Sequence, residues 1–404
     1  MNKPLFEVAD IARAHRGELA EKGKLNAHQK KVLTAICNCR TAELGGHRER
    51  CNDPACHHER FAYNGCRDRH CPKCNGMKRE KWVADRKTDA LPIPYFHIVF
   101  TVPAMLEELC LLYGKEMYNL LFASAWETIS EFACDHKHLG AKPGAIMLLH
   151  TWGQNLSRHT HIHCLVPAGG IDRQGKWRGC KQDGKFFVHV KQLSQVFRGK
   201  FTDGLVNFQD NGFVELPGGK MDKNRKYLHP LYKTKWVVYA KKPMPTSGHV
   251  IEYISRYSHR VAISNHRIKS FENGQVGFSW VDYRTSKPGV MTLGATDFLQ
   301  RFTTHVLPVG FMKIRHYGIL SSRNKAACIA KVREQFNVEP VEKPQKGRNW
   351  METFELLYGR HPKLCPCCGK GIMLVVETIE PRYRIRQRDG PEMETDTGND
   401  RPKE

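Results

Sequence analysis

Seven of the fifteen cysteines in this chain fall between residues 37 and 74: Cys37, Cys39, Cys51, Cys56, Cys66, Cys71 and Cys74. That stretch is otherwise rich in Arg, His and Gly, and holds too few apolar side chains to close a core of its own. Cysteines crowded in this way, in a chain with no secretory h-region at its start, imply metal rather than disulfides. Eight residues (Cys39, His47, Cys51, Cys56, Cys66, His70, Cys71 and Cys74) make two tetrahedral sets of thiolate and imidazole donors, the usual zinc ligands. The Cys71-Pro72-Lys73-Cys74 turn has knuckle spacing. The pairing stays open, because Cys37, His57 and His58 are spare candidates. Two structural zinc ions are therefore expected, with every coordination position filled. Arg48, Arg50, Arg60, Arg67, Arg69 and Lys73 interleave with the ligands and could face phosphates or plain solvent.

The charge balance extends this reading. Sixty-four Lys and Arg against 41 Asp and Glu leave a net charge of +23 over 404 residues. Such an excess calls for a polyanion, nucleic acid before membrane. No run of about 18 apolar residues occurs, so no membrane span is expected. The expected location is the cytoplasm, in association with the nucleoid.

Strand patterns occur at 95–102, 145–152, 160–166, 233–243, 275–281 and 289–293, and helical patterns at 1–35, 78–90, 104–138 and 248–261. Residues 186–196 read as a strand passing into a helix and 211–220 as a turn. The chain beyond 338 is poorer in order, and from about 380 it reads as disordered. The expected blocks are a helical and zinc-binding head (1–92), an α+β body (93–330) and a tail (331–404). In the tail, Cys365 and Cys368 form a Cys-x-x-Cys pair. Alone it is half a zinc site, for which His361 or Cys328 could supply partners, or else a simple thiol turn.

Two further constellations carry chemistry. In His161-Ile162-His163, strand alternation puts both imidazoles on one face and the isoleucine on the other, a clamp for a divalent ion. His150 joins them if strands 145–152 and 160–166 form a hairpin whose paired residues sum to 311 or 313; a one-residue slip sends it to the opposite face. In 250–261, Tyr253 and Tyr257 are spaced i, i+4 and share a helix face. Tyr257 lies near the apolar stripe of Val250, Ile254 and Val261. Tyr253 sits at its edge beside Arg256 and Arg260, which could stabilise a phenolate or bind phosphate. A metal ion on imidazoles polarises a phosphodiester, and a tyrosine attacks phosphorus to leave a 5′-phosphotyrosyl link and a 3′-hydroxyl. The link conserves the phosphodiester energy, and no Walker-type glycine loop is present.

The segments RTAELGGHRERC, YNGCRDRHCPKC, PYFHIVFTVP, LLHTWGQNLSRHTHIHCLVPAGGI, EYISRYSHRVAISNHRI and FMKIRHYGILSSRNK resemble the rolling-circle transposases of insertion-sequence family 91, over about residues 28–325. The resemblance implies a small N-terminal zinc-binding domain joined to a His-hydrophobic-His endonuclease domain, an antiparallel sheet flanked by helices. It implies single-strand nicking and joining, with His161 and His163 as ligands of Mg²⁺ or Mn²⁺. Tyr253 and Tyr257 would be the nucleophiles, one or both acting. The expected partner is DNA, single-stranded or as hairpin element ends. No helicase motif is visible, so unwinding would fall to the host or its replication. Competing readings are a plasmid relaxase or replication initiator of the same nicking class, a non-enzymatic zinc-dependent DNA-binding regulator, and a hydrolytic zinc enzyme. The last lacks a nearby carboxylate as general base.

Overall fold

The computed structural model describes residues 4–181, 187–215, 228–244, 251, 261–282, 285–339 and 348–382. In chain order the elements begin with helices α1 (Val8–Glu21) and α2 (Ala27–Asn38), strands β1 (Gly46–Cys51) and β2 (Glu59–Tyr63), and helix α3 (Gly76–Asp89). Next come β3 (Tyr95–Thr101), α4 (Glu107–Leu112), α5 (Gly114–Cys134), β4 (Gly144–Trp152) and β5 (Arg158–Pro167). The short β6 (Gly169–Ile171) and β7 (Trp177–Gly179), helix α6 (Val190–Asp210) and β8 (Val238–Met244) follow. The chain then runs through β9 (Ile268–Glu272), β10 (Gln275–Val281), β11 (Pro288–Gly294), α7 (Ala295–Thr303), β12 (Ile314–Gly318), α8 (Lys325–Gln335), α9 (Trp350–Tyr358) and β13 (Met373–Ile379). Two compact units result: residues 1–37 with 67–362, and residues 38–66 with 363–404.

The larger unit is built on a five-stranded antiparallel sheet of order β12-β4-β5-β3-β8. Alternation sorts its side chains into two layers. Phe96, Ile98 and Phe100 of β3, Ala145, Met147 and Leu149 of β4, and Ile162, Cys164 and Val166 of β5 join the main core. Helix α5 covers this layer with Met117, Leu121, Ala125 and Ile129, and α6 adds Leu193, Phe197, Phe201 and Leu205, each set at helical spacing. Burying a side chain such as Phe100 or Phe197 contributes about 2 kcal/mol or more, so this layer fixes the strands firmly. The opposite layer is a smaller cluster around Tyr95, Ile146, Leu148 and Leu165, closed by Ile329 and Val332 of α8. A second antiparallel sheet, β9-β10-β11, belongs to the same unit.

The smaller unit is a three-stranded antiparallel sheet of order β13-β1-β2. Antiparallel sheets flanked by helices are thus the architecture, as the sequence led us to expect. Several details differ. The 104–138 pattern breaks at Tyr113 (φ −117°, ψ 46°), which separates α4 from α5. Gly23, with φ +66°, divides the N-terminal helical stretch, a conformation that costs glycine little. Residues 373–379, in the tail read as poorly ordered, form β13 and pair with β1 over its whole length. The smaller unit therefore joins part of the expected head to part of the expected tail. Among the described residues no helix is long and apolar enough to cross a membrane.

Candidate functional site

The β4–β5 hairpin sets the register on which the histidine site depends. His150 pairs with His161 and Leu148 with His163, so the paired numbers sum to 311. The connecting loop is held by Gly153 N–H to the Ser157 carbonyl (2.8 Å) and by the Asn155 side chain, which accepts from Ser157 N and Oγ. Leu156 adopts φ 61° there, a strained conformation for a branched residue. Its carbonyl accepts from His305 Nε2 at 3.0 Å, and His305 Nδ1 meets Thr151 Oγ1 at 3.2 Å. His305 thus ties the loop to the residue beside His150.

His150, His161 and His163 converge on the face opposite the main core, each offering one ring nitrogen, with all three atoms within 4.8 Å of one another. The His161 and His163 Nε2 atoms lie 3.1 Å apart. His161 Nδ1 lies 2.6 Å from the His159 carbonyl, which can only accept, so the proton sits on Nδ1 and the Nε2 lone pair faces inward. On the adjacent strand, His97 brings its Nε2 to 2.9 Å from His163 Nδ1, with the rings stacked at 5.1 Å. A proton on His163 Nδ1 leaves its Nε2 lone pair inward too. Trp152 stacks on His150 at 4.8 Å.

These histidines are 3%, 8% and 6% exposed, and His97 is 2% exposed. Burial pushes His161 down to about 4 and His97 to about 4, and it drives His163 well below its ordinary value, with the neighbouring imidazoles adding to the effect. His161, His163 and His97 are therefore neutral imidazoles at physiological pH, the form that ligates cations. The group contains no carboxylate.

His97 and His305 escaped the sequence reading. His97 lies inside an apolar strand run, and only the pairing of β3 with β5 reveals its shared parity with His163. Tyr253, Tyr257, Arg256 and Arg260 lie outside the described residues.

The cysteines sort differently from the expected two sets drawn wholly from the head. In the smaller unit Cys51 and Cys56 group with Cys365 and Cys368. Cys39 and Cys66 also approach each other there, with the Cys66 amide donating to Cys39 Sγ at 3.4 Å. In the larger unit Cys71 and Cys74 share a knuckle turn closed by Cys74 N–H to the Cys71 carbonyl. Neither expected histidine joins a thiolate group. His47 stands four residues up β1 from Cys51, a rise of about 13 Å. Both ring nitrogens of His70 are already engaged, Nδ1 with Asp68 at 3.0 Å and Nε2 with the Leu307 amide at 3.1 Å. Several of the interleaved cations are committed as well. Arg48 and Arg50 pair with Glu59, Arg60 with the buried Glu49, and Lys73 with Glu7.

A family model described as "Transposase zinc-binding domain" matches residues 11–102, and one described as "Putative transposase" matches residues 144–327. Over 385 residues the chain is 41% identical to "Putative transposase y4qJ" of Sinorhizobium fredii (strain NBRC 101917 / NGR234), covering 93% of this chain and 96% of that protein. The chain belongs to the transposases of insertion-sequence family 91. It is also 27% identical over 322 residues to "Transposase for insertion sequence element IS801" of Pseudomonas savastanoi pv. phaseolicola, covering 78% of this chain and 76% of that one. No solved structure matches it. A transposase binds and processes DNA, which accounts for the net charge of +23. The second family match spans all three converging histidines and the tyrosine segment, and the first spans the head cysteines.

Proposed function

We propose that this transposase nicks and rejoins single strands of DNA through a tyrosine–phosphate link, in rolling-circle transposition of an insertion sequence. The observation that carries the reading is the convergence of three buried imidazoles on one sheet face. A donor set of this kind fits a divalent cation; being all nitrogen, it suits Mn²⁺ better than Mg²⁺, which prefers oxygen. Such an ion, when bound, polarises the scissile phosphate. His150, His161 and His163 would hold it; the His159 carbonyl fixes the tautomer of His161, His97 braces the His163 ring through its Nδ1, and the strand backbone fixes the rings.

Tyr253 and Tyr257 are the nucleophiles in this reading, acting singly or in turn. The tyrosine Oη–phosphorus bond forms as the bond from phosphorus to the 3′-oxygen breaks. The phenol gives up its proton, and the 3′-oxygen leaves as a hydroxyl. Support comes from the described residues on either side of the segment. Ile251 lines a cavity with Ile146, and Val261 and Ala262 line another with Trp152, His305 and Lys313. Ile146 and Trp152 bracket His150 on the same face of β4, about 20 Å apart. In the sequence both tyrosines fall between Ile251 and Val261. Arg256 and Arg260 would then serve the phosphate.

Structural zinc on the head cysteines belongs to the same reading, with thiolates as its usual ligands. Single-stranded or hairpin element ends are the expected substrate, with unwinding left to host replication or helicases, since the nucleophile needs an unpaired backbone.

The test is covalent trapping. Element-end oligonucleotides are incubated with Mn²⁺ or Mg²⁺ and run on denaturing gels. Tyr253→Phe is expected to lose the adduct. Tyr257→Phe then reports whether the second tyrosine acts: loss of strand transfer with retained nicking means that it does. A Tyr253→Phe/Tyr257→Phe double variant that still forms adduct at the parental level would refute the reading.

A further inference from the structure

We propose that the C-terminal Cys365-x-x-Cys368 turn completes a structural zinc site with Cys51 and Cys56, so that the end of the chain clasps the head sheet through metal. The four sulfurs lie within 4.8 Å of one another. Cys51 Sγ is 3.8 Å from Cys368 Sγ, and Cys56 Sγ is 3.7 Å from Cys365 Sγ. A tetrahedron with zinc–sulfur arms of about 2.3 Å has edges of about 3.8 Å, so both spacings are those of thiolates around one ion. Disulfide partners stand at about 2.05 Å, far inside these separations.

Two tight loops present the sulfurs. Residues 51–56 turn back on Asp53, whose carbonyl accepts from Cys56 N–H at 3.0 Å. Residues 365–371 turn by Gly369 N–H to the Cys365 carbonyl (3.0 Å) and by Cys365 N–H to the Gly371 carbonyl (2.7 Å). Backbone amides aim at the sulfurs: Asp53 N–H at Cys51 (3.5 Å) and Gly371 N–H at Cys368 (3.3 Å). Donors placed in this way stabilise thiolate charge and orient the ligands. The loops touch closely enough that a Cβ on Gly371 would collide with Cys51 Sγ. Asn52 locks them together, its amide donating to the Ile372 carbonyl at 3.0 Å and its Oδ1 accepting from Ile372 N–H at 2.7 Å.

The apolar support is meagre. Among the described residues only Met373 joins these cysteines as a buried side chain of the cluster, while Leu374, Val375 and Val376 of β13 are 44–49% exposed. A clasp with so little core depends on its metal. The four donors are all thiolate and leave no open position, which fits a closed structural zinc rather than a reactive centre.

The experiment is metal analysis of the purified full-length chain. Cys365→Ser/Cys368→Ser is expected to lose one equivalent of zinc relative to the parent, while Cys367→Ser, at the exposed neighbouring thiol, keeps the parental content. An unchanged zinc content in the double variant would overturn the assignment. Cysteine footprinting of the unmutated chain needs no variant to fold. Cys51, Cys56, Cys365 and Cys368 are expected to resist alkylation together and to react together after chelation, whereas Cys367 reacts throughout. Alkylation of Cys365 that is indifferent to chelator, or that requires a reductant, would overturn it equally. None of these readouts depends on DNA cleavage, so the outcome is separate from that of the nicking reaction.

Discussion

His305→Gln isolates how much of the hairpin's stability is held by a buried neutral imidazole. His305 is 3% exposed, and burial pushes its pKa down to about 4 despite the Leu156 carbonyl, which favours the charged form. In the unfolded chain a histidine titrates near about 6.5. The folded-state pKa is depressed, so the stabilising difference is fully present above about pH 6.5 and is lost as pH falls towards 4. In that window the unfolded chain takes up a proton that the folded chain refuses. Each pH unit is worth about 1.4 kcal/mol, so between pH 6.5 and 5 this one group costs the parent about 2 kcal/mol. Gln keeps a donor for the Leu156 carbonyl but does not titrate. At neutral pH the variant should be less stable than the parent through its poorer packing and the lost Thr151 contact. At pH 5 that deficit should shrink by about 2 kcal/mol. Thiol and remaining histidine titrations occur in both proteins and cancel in the difference. Urea melts followed by tryptophan fluorescence suit the purpose, because Trp152 lies 6.0 Å from the His305 ring. A deficit that is the same at both pH values would show that His305 does not enter the folded state as a suppressed base.

The remaining predictions concern the site and its substrate. His161→Ala or His163→Ala should abolish adduct formation while DNA binding, measured by fluorescence anisotropy, stays within about twofold, because affinity comes from dispersed Lys and Arg. Retained cleavage would remove these imidazoles from the chemistry. His97→Phe keeps an aromatic filler but loses the bond to His163 Nδ1; it should raise the Mn²⁺ concentration for half-maximal adduct by about 10- to 100-fold, with activity recovered at saturating metal. An unchanged metal requirement would make His97 a packing residue only. Affinity for single-stranded DNA should fall steeply with salt, with a log–log slope of about −4 if six phosphates are neutralised. A slope shallower than about −1 would contradict an electrostatic footprint of that size.

How far the sequence discloses this protein follows from the range of each signal. The histidine face is legible because its determinants are local. His161 and His163 are two residues apart, and His150 reaches them through a five-residue loop, so alternation and one hairpin suffice. His97 is 66 residues from its partner His163, and His305 is 154 residues from Thr151. No local pattern marks either: a single His in PYFHIVFTVP reads as a core residue until its strand is paired. The cysteines show the same limit. Spacing identifies Cys51-x4-Cys56 and Cys365-x2-Cys368 as two half-sites, but not that one completes the other across 309 residues of chain. Nearness in sequence favoured His47 and His70 as the missing donors. Strand rise excludes the first, and hydrogen bonding to Asp68 and Leu307 excludes the second.

The two layers of the five-stranded sheet explain why a rigid site and a firm core coexist on strands of seven to ten residues. Every second residue of β3, β4 and β5 is spent on the layer under α5 and α6, where Phe100, Met147 and Ile162 are fully buried. That layer alone fixes the register. The alternate positions are then free to carry His97, His150, His161 and His163 without weakening the core. A one-residue slip of β5 against β4 would place His161 and His163 in the apolar layer and Ile162 at the histidine face, exchanging buried hydrocarbon for unsolvated imidazole. The penalty for that exchange is paid in the main core, far larger than anything a single ligand contributes. The geometry of the histidine cluster is therefore enforced by residues that never touch it, and substitutions of His150, His161 or His163 should leave the fold intact.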